Sequence, residues 1–360
     1  MSGRQIQTEF LIIGAGVLGL SLAYHLAQRN RRVVVLERES SYAQHASGKN
    51  AGMFRQLYRH PQLTQWATES ISIWPVDLKN SAFLKTGSCI SGRTSPGHHL
   101  HLFRDQEIEG VSCVSTETDG LLDPGTYCRA LYQLTDKKTS QFFFNCSAVS
   151  LDACSDGGWH LDSKLLKTNV GIEFKADCII NASGAWVNDC LRSERSAHLR
   201  LCAQAYARHL FLVHGWPENF MPTSECGYYW DEIGNWYMRL WDKHSRLFSI
   251  CDQTPGNPDD FTPAAGLSEK LSETISHYLP QQAESLSLGT SWHCFRTYTQ
   301  DKLPILGQDP DCVDLFWLAA FGGFGMSTSF AATRDAARVL TGEASADIFK
   351  DFSPRRARTT

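Results

Sequence analysis

An apolar run broken by three glycines, Phe10-Leu-Ile-Ile-Gly-Ala-Gly-Val-Leu-Gly19, constrains this chain more than any other feature. It is followed by a second apolar segment that ends on an acid, Arg32-Val-Val-Val-Leu-Glu37. The order reads as strand, tight turn, helix, strand. Gly14 permits the turn, with Ala15 inside it. Gly16 lets the backbone approach a pyrophosphate, and Gly19 lets helix and strand pack closely. N–H groups near Val17 and Leu18, at the start of the helix, would face the phosphates. Glu37, followed by Arg38, stands where a carboxylate accepts hydrogen bonds from ribose hydroxyls. These parts together predict an adenine-dinucleotide cradle.

With 360 residues the chain exceeds one small core and suits two connected domains. A net charge of −4 gives no general attraction to nucleic acid or to an anionic membrane. Twelve cysteines lie between Cys89 and Cys312 with no Cys-x-x-Cys pair, which argues against a zinc knuckle or a thioredoxin-like site and favours a reduced, cytoplasmic protein. The glycines in Phe10 to Leu26 mark a buried strand and helix, so no transmembrane segment is expected. His98, His99 and His101 have no acid or cysteine at ligand spacing and read as solvated loop residues rather than a metal site. The basic Arg355-Arg356-Ala-Arg358 reads as a frayed, solvated tail.

Helical spacing covers His60 to Trp74, with Leu63, Trp66, Ile71 and Trp74 on one face. Asp123-Pro-Gly opens a helix over Thr126 to Thr135. Phe142 to Leu151, Gly158 to Lys167, Gly171 to Lys175 and Cys178 to Asn181 read as strands. The Trp-, Tyr- and Phe-rich stretch from Leu201 to Cys251 suits a half-buried antiparallel sheet. Leu267 to Leu279 reads as helix, and Leu315 to Ala320 as a buried strand that leads through Phe321-Gly-Gly-Phe-Gly-Met-Ser327 into a helix ending near Leu340. The expected class is therefore α/β with an α+β substrate domain: a Rossmann-like domain interleaved with an antiparallel-sheet substrate domain. Residues 1–52, 121–195 and 290–345 form the first domain, 53–120 and 196–289 the second, and 346–360 a tail.

Four separated motifs together resemble the D-amino acid oxidase-like superfamily of FAD-dependent oxidoreductases. They are Gly14-Ala-Gly-Val-Leu-Gly19 with Glu37-Arg38, Ala46-Ser-Gly-Lys-Asn-Ala-Gly52, Asn181-Ala-Ser-Gly-Ala-Trp186 and Phe321-Gly-Gly-Phe-Gly-Met326. Trp292-His-Cys-Phe-Arg-Thr-Tyr-Thr-Gln-Asp301 with Leu303-Pro-Ile-Leu-Gly307 is similar to a further family segment. D-arginine dehydrogenase-like and glycine or sarcosine oxidase-like members are the nearest in pattern, and Ser353-Pro-Arg-Arg fits the former. The resemblance implies an FAD site. Ser47, Gly48, Lys49, Asn50, Ala51 and Gly52 would line the pyrophosphate and the flavin's edge, and Val149 would offer backbone groups to adenine. Ala182, Ser183, Gly184 and Trp186 would pack along the dinucleotide. Gly322, Gly323, Phe324, Gly325, Met326 and Ser327 would aim N–H groups and a helix N-terminus at the flavin's pyrimidine ring. The alternative for these glycines is close helix–strand packing.

In such enzymes the flavin accepts electrons while the protein orients the substrate. The resemblance makes Arg296 the carboxylate anchor, a bidentate and permanently charged fork, with a structural salt bridge as its alternative. Arg208 would be a second arginine facing the substrate, or else a strand residue. Tyr237 would place a hydroxyl over the substrate and Tyr58 would sit in a lid, or both are core aromatics. Lys85 stands where relatives carry a glutamate for a cationic side chain, and Met53 where they carry a histidine near the flavin; the reversed charge at Lys85 would repel arginine or lysine. The stretch between Gly92 and Asp123 is shorter than in relatives. Cys294 aligns with the cysteine that sarcosine oxidase-like enzymes bond to the flavin 8α-methyl; a free buried thiol is the other reading.

The reading is an FAD-dependent amine or amino acid oxidase or dehydrogenase. Hydride passes to flavin N5, the imine hydrolyses, and oxygen or a quinone accepts the electrons, a quinone-linked enzyme lying against the inner membrane. The alternatives are oxidation of a 2-hydroxy acid or glycerol 3-phosphate, which needs a base near N5, and a flavoprotein module acting on a macromolecule such as a modified tRNA base, which the charge disfavours. NAD in place of FAD is disfavoured by the Ser-Gly-Lys-Asn run and the late glycine loop.

Overall fold

The computed structural model describes residues 4–92, 103–108, 111–154, 158–191, 196–312 and 314–358; His98, His99 and His101 lie outside them. Two large sheets carry the fold. In the first, of eight strands among the described residues, Arg4–Ile13 lies in the middle, parallel to Gly171–Asn181 on one side and to Val33–Leu36 on the other. Ser140–Phe143 continues it beyond Val33–Leu36, and Leu315–Ala319 pairs in parallel with the end of Gly171–Asn181. Both faces of such a sheet are covered, which is why Val33–Leu36 and Leu315–Ala319 are apolar and wholly buried. The second sheet, of nine strands among the described residues, is mainly antiparallel and centres on Gln204–His214. The α/β expectation and the antiparallel substrate sheet are both present.

The helices Val17–Ala27 and Gly325–Leu340 lie side by side on the first sheet. Ser21 Oγ and Thr333 Oγ1 are 2.7 Å apart, and His25 Nε2 donates to the Phe330 carbonyl at 2.9 Å. Pro61–Ile73 packs on the outer side of Gly325–Leu340, where the Ala331 N–H donates to Ser70 Oγ at 3.0 Å and Trp66 Nε1 to Asp335 Oδ2 at 3.0 Å.

Four expectations change. Phe142 to Leu151 is two strands, because Asn145 adopts a left-handed φ of 53° and turns the chain between Phe143 and Cys146. Gly171 to Lys175 and Cys178 to Asn181 are one strand, Gly171–Asn181. Residues 290–298, placed with the nucleotide domain, belong to Ser287–Tyr298, which pairs along Gln204–His214 in the second sheet. The C-terminal segment is not frayed. It forms short turns that bury Phe349, Phe352 and Ala357, and it ties Arg356 to Asp301 and Arg358 to Asp309. All twelve cysteines are free thiols. Among the described residues no helix is long and apolar enough to cross a membrane.

His25 makes stability depend on pH. Burial holds its imidazole down at about 3, with the Phe330 carbonyl opposing and Arg29 and Arg334 adding to the depression. The unfolded chain binds a proton below its ordinary value near 6.5, whereas the folded chain does not until about 3. Stability is therefore lost as pH falls through that window, at about 1.4 kcal/mol per unit from this one group. Denaturant midpoints at pH 7 and pH 5 should separate more for the native chain than for His25→Gln, which keeps a donor for Phe330 without the titration.

Candidate cofactor and substrate pocket

The glycine turn, the Ser47 loop, the Ala182 turn and the Phe321 loop enclose one cavity of about 500 Å³, in the range of small-molecule and cofactor sites. At its dinucleotide end Gly14 has φ +106°, and a Cβ there would stand 2.6 Å from the Ala182 carbonyl oxygen. The Glu37 carboxylate is oriented by the N–H groups of Ala15 (2.8 Å) and Glu39 (2.9 Å) while it lines the cavity. The Val17 N–H, expected to face a phosphate, donates instead to Ser47 Oγ at 2.9 Å and so pins the Ser47 loop to the helix start. Between Ala148 and Ser150 the pairing register slips, so Val149 is left out of the ladder; it lines the cavity and is 50% exposed.

The Ser47 loop is shaped by its own side chains and by the second sheet. Asn50 donates to the Ser47 carbonyl (2.7 Å) and accepts from the Gly52 N–H (2.7 Å). Arg239 donates to the Ala51 carbonyl at 2.8 Å, and Trp292 Nε1 to the Lys49 carbonyl at 2.9 Å. Across the cavity Trp186 is held by Asp259 through Nε1 (2.8 Å), with the Arg38 guanidinium 3.8 Å above its ring. This cradle fits an FAD: a backbone approach too close for any side chain, an oriented acid and a bulged backbone all border one cavity.

The other end is built by Ser287–Tyr298, the Phe321 loop and residues 53–58. Arg296 lines the cavity, and Nη2 donates to Tyr237 Oη at 3.5 Å. No carboxylate pairs with it among the described residues. A Cβ at Gly323 would sit 3.2 Å from Arg296 Nη1, so glycine there leaves the guanidinium room. Met53, Tyr58 and Cys294 also line this end. Burial pushes the Cys294 thiol up, against the pull of Arg296, Arg208 and Lys49, and favours the protonated thiol over the thiolate that would attack a methyl carbon. The helix Gly325–Leu340 starts without a side-chain cap, and Gly322, Gly323, Gly325 and Met326 line the wall.

Several expected residues do not line the cavity. Arg208 is buried, with Nε donating to the Asp252 carbonyl at 2.8 Å. Tyr237 is wholly buried, its ring 5.2 Å from that of Trp230, and it braces Arg296 from behind; burial raises its hydroxyl's pKa, so it stays protonated. Phe324 turns toward Tyr58, and Ser327 Oγ accepts the Arg55 N–H at 3.0 Å. Ala15, Gly19 and Gly48 do not line the cavity; at Gly19 and Gly48 a Cβ would strike the carbonyls of Gly14 and Ala43. Lys85 is exposed on the edge strand Phe83–Lys85, away from the cavity, so its charge does not select the substrate. The sequence reading missed Arg55, Trp230, His45, Phe261 and His293, all of which line the cavity. For Arg55 a signal existed: an arginine inside the otherwise apolar Met53-Phe-Arg-Gln-Leu-Tyr58.

A family profile described as FAD dependent oxidoreductase (DAO) matches residues 9–339. The FAD-dependent oxidoreductase domain-containing protein 1 of Xenopus laevis is 23% identical over 93% of this chain and 79% of its own length. The D-amino acid dehydrogenase of Vibrio atlanticus (strain LGP32) is 23% identical over 95% of this chain and 98% of its own. The crystal structure of glycine oxidase from Geobacillus kaustophilus superposes with a TM-score of 0.79 at 20% identity, covering 98% of this chain and all of that one (100%).

Proposed function

The chain belongs to the FAD dependent oxidoreductase (DAO) family, and on that premise we propose that it oxidises the C–N bond of an amino acid or N-substituted amine. FAD, when bound, supplies the two-electron acceptor that takes the hydride from the carbon beside the nitrogen. The nitrogen loses a proton, and water hydrolyses the imine to a keto acid or aldehyde with release of ammonia or an amine. The Ser47 loop, Glu37, Val149 and the Ala182 turn would hold the dinucleotide. The uncapped start of Gly325–Leu340 would offer partial positive charge to the flavin ring.

The observation that carries the reading is Arg296. Its guanidinium opens on the cavity with a tyrosine behind it and no carboxylate partner among the described residues. A substrate carboxylate completes that arrangement with two parallel N–H···O bonds, which turns the α-carbon toward the flavin wall. Tyr237 holds the fork at its angle. Met53 lines this end of the cavity and offers no base for a hydroxyl proton, which supports an amine over an alcohol.

Arg296→Ala should raise KM for an accepted amino acid by roughly tenfold to a hundredfold, the value of a charge-assisted fork. Arg296→Lys should recover part of the loss. An unchanged KM in Arg296→Ala, with flavin content intact, would remove the anchoring role.

A further inference from the structure

We propose that Arg55 is a second anion-binding position in the same pocket, so that the preferred substrate is an amino acid or imino acid bearing two carboxylates. The inference rests on the anchoring role of Arg296 and specifies which substrate that site selects.

Arg55 is only 8% exposed, yet it lines the cavity. Its guanidinium carbon stands 4.5 Å from the Tyr58 ring centre and 4.3 Å from that of Trp230. Stacking of this kind holds the plane of the fork while leaving its N–H edges for a ligand. The backbone beneath it is fixed twice over. Its own N–H donates to Ser327 Oγ at 3.0 Å, and the next residue, Gln56, donates through N and Nε2 to Asp119 Oδ1, each at 3.0 Å. Asp119, completely buried, is in turn held by Ser88 and Tyr228 (2.7 and 2.6 Å). A charged group built into place this firmly has a use for its orientation.

The fork is nevertheless incomplete. Nη1 is buried and makes no hydrogen bond. Glu232 stands 4.0 Å from it, beyond hydrogen-bonding distance, and 3.9 Å from Arg59 Nη2. A buried charged donor left unsatisfied is costly, and a ligand carboxylate is the acceptor that best repairs it.

Arg55 and Arg296 flank one aromatic pair. Trp230 lies under Arg55, Tyr237 packs against Trp230 with its ring tilted 47° at 5.2 Å, and Tyr237 accepts from Arg296. Both arginines also meet the same glycine loop, Arg296 at Gly323 and Arg55 at Ser327. The carboxylates that line the cavity, Glu37 and Asp189, come from the dinucleotide-binding segments. The substrate end therefore presents two fixed guanidinium groups and no lining acid among the described residues, with Glu232 behind Arg55 at 4.0 Å. That field favours a dianion and rejects a cationic side chain.

The test titrates the FAD-loaded protein with acids that cannot be oxidised, following the flavin's visible spectrum. Succinate and glutarate should bind roughly tenfold or more tightly than butyrate and valerate. Arg55→Gln should erase that preference, and Arg55→Lys should keep part of it. Equal affinities for the two acid classes in the native protein, or a preference that survives Arg55→Gln, would overturn the proposal. Arg296→Gln separates the two claims. If it leaves butyrate binding intact, the Arg296 anchor is wrong, whereas the succinate preference reports on Arg55.

Discussion

Alanine at position 19 should yield a protein that is purified without flavin and takes it up on the order of a hundredfold more weakly. The new Cβ would stand 1.9 Å from the Gly14 carbonyl oxygen and 3.1 Å from its carbon. Overpacking against side chains costs about 1–3 kcal/mol, but here the obstacle is the glycine turn itself. The helix Val17–Ala27 must then move off the strand that feeds it, and Glu37, held by the Ala15 N–H, loses its register with the cavity. Gly171→Ala is the control. A Cβ there lies away from the cavity and meets only the Ser163 carbonyl oxygen, at an ordinary 3.8 Å. Absorbance at 450 nm against 280 nm, followed by FAD titration of the colourless fraction, reads the difference. A Gly19→Ala protein with native flavin content would refute the argument.

Asp309→Ala should cost about 3–5 kcal/mol of stability, the range for breaking one partner out of a buried ion pair. The Asp309 side chain has no exposed surface; it accepts from Trp317 Nε1 at 2.8 Å and from the Asp311 N–H at 3.0 Å, and pairs with Arg358. Removing it leaves an indole N–H and a partly buried guanidinium without their acceptor. The pair joins the C-terminal turns to the Leu315–Ala319 strand, so the loss spreads into the sheet. Arg358→Met leaves the carboxylate buried with two N–H donors and should cost less. The double variant should fall short of the sum of the two, because each single change strands the other's partner. Denaturant midpoints of the four proteins test this; strict additivity would show that the two residues are not coupled.

The parts legible in the sequence are those whose physics is local. The glycine spacing from 14 to 19, the acid at 37 and the glycine loop at 321–327 each announce a backbone conformation within a few residues. The cradle could therefore be read directly. The parts misread depend on partners far along the chain. Arg356 and Arg358 look like a solvated tail until Asp301 and Asp309 are brought beside them. Arg208 and Arg55 are both arginines in apolar segments, and neither one's neighbours say which faces the cavity. Strand pairing decides it. Arg208 lies opposite Cys294 and bonds the Asp252 carbonyl, whereas Arg55 follows a short strand paired to Gly120–Leu122 and slides between two rings. Phe142 to Leu151 failed for a smaller reason: one asparagine in a left-handed conformation cuts an apparently continuous strand in two.

The central strand Arg4–Ile13 has Gly171–Asn181 as one neighbour, and the helix behind it rests on Gly325–Leu340. A strand made before Gly171–Asn181 thus waits for a partner that follows it by most of a domain. A nascent chain can display the phosphate turn early, but the wall for the flavin ring does not exist until residues 321–327 have been made. A polypeptide that still lacks them has no finished cradle with which to hold a flavin.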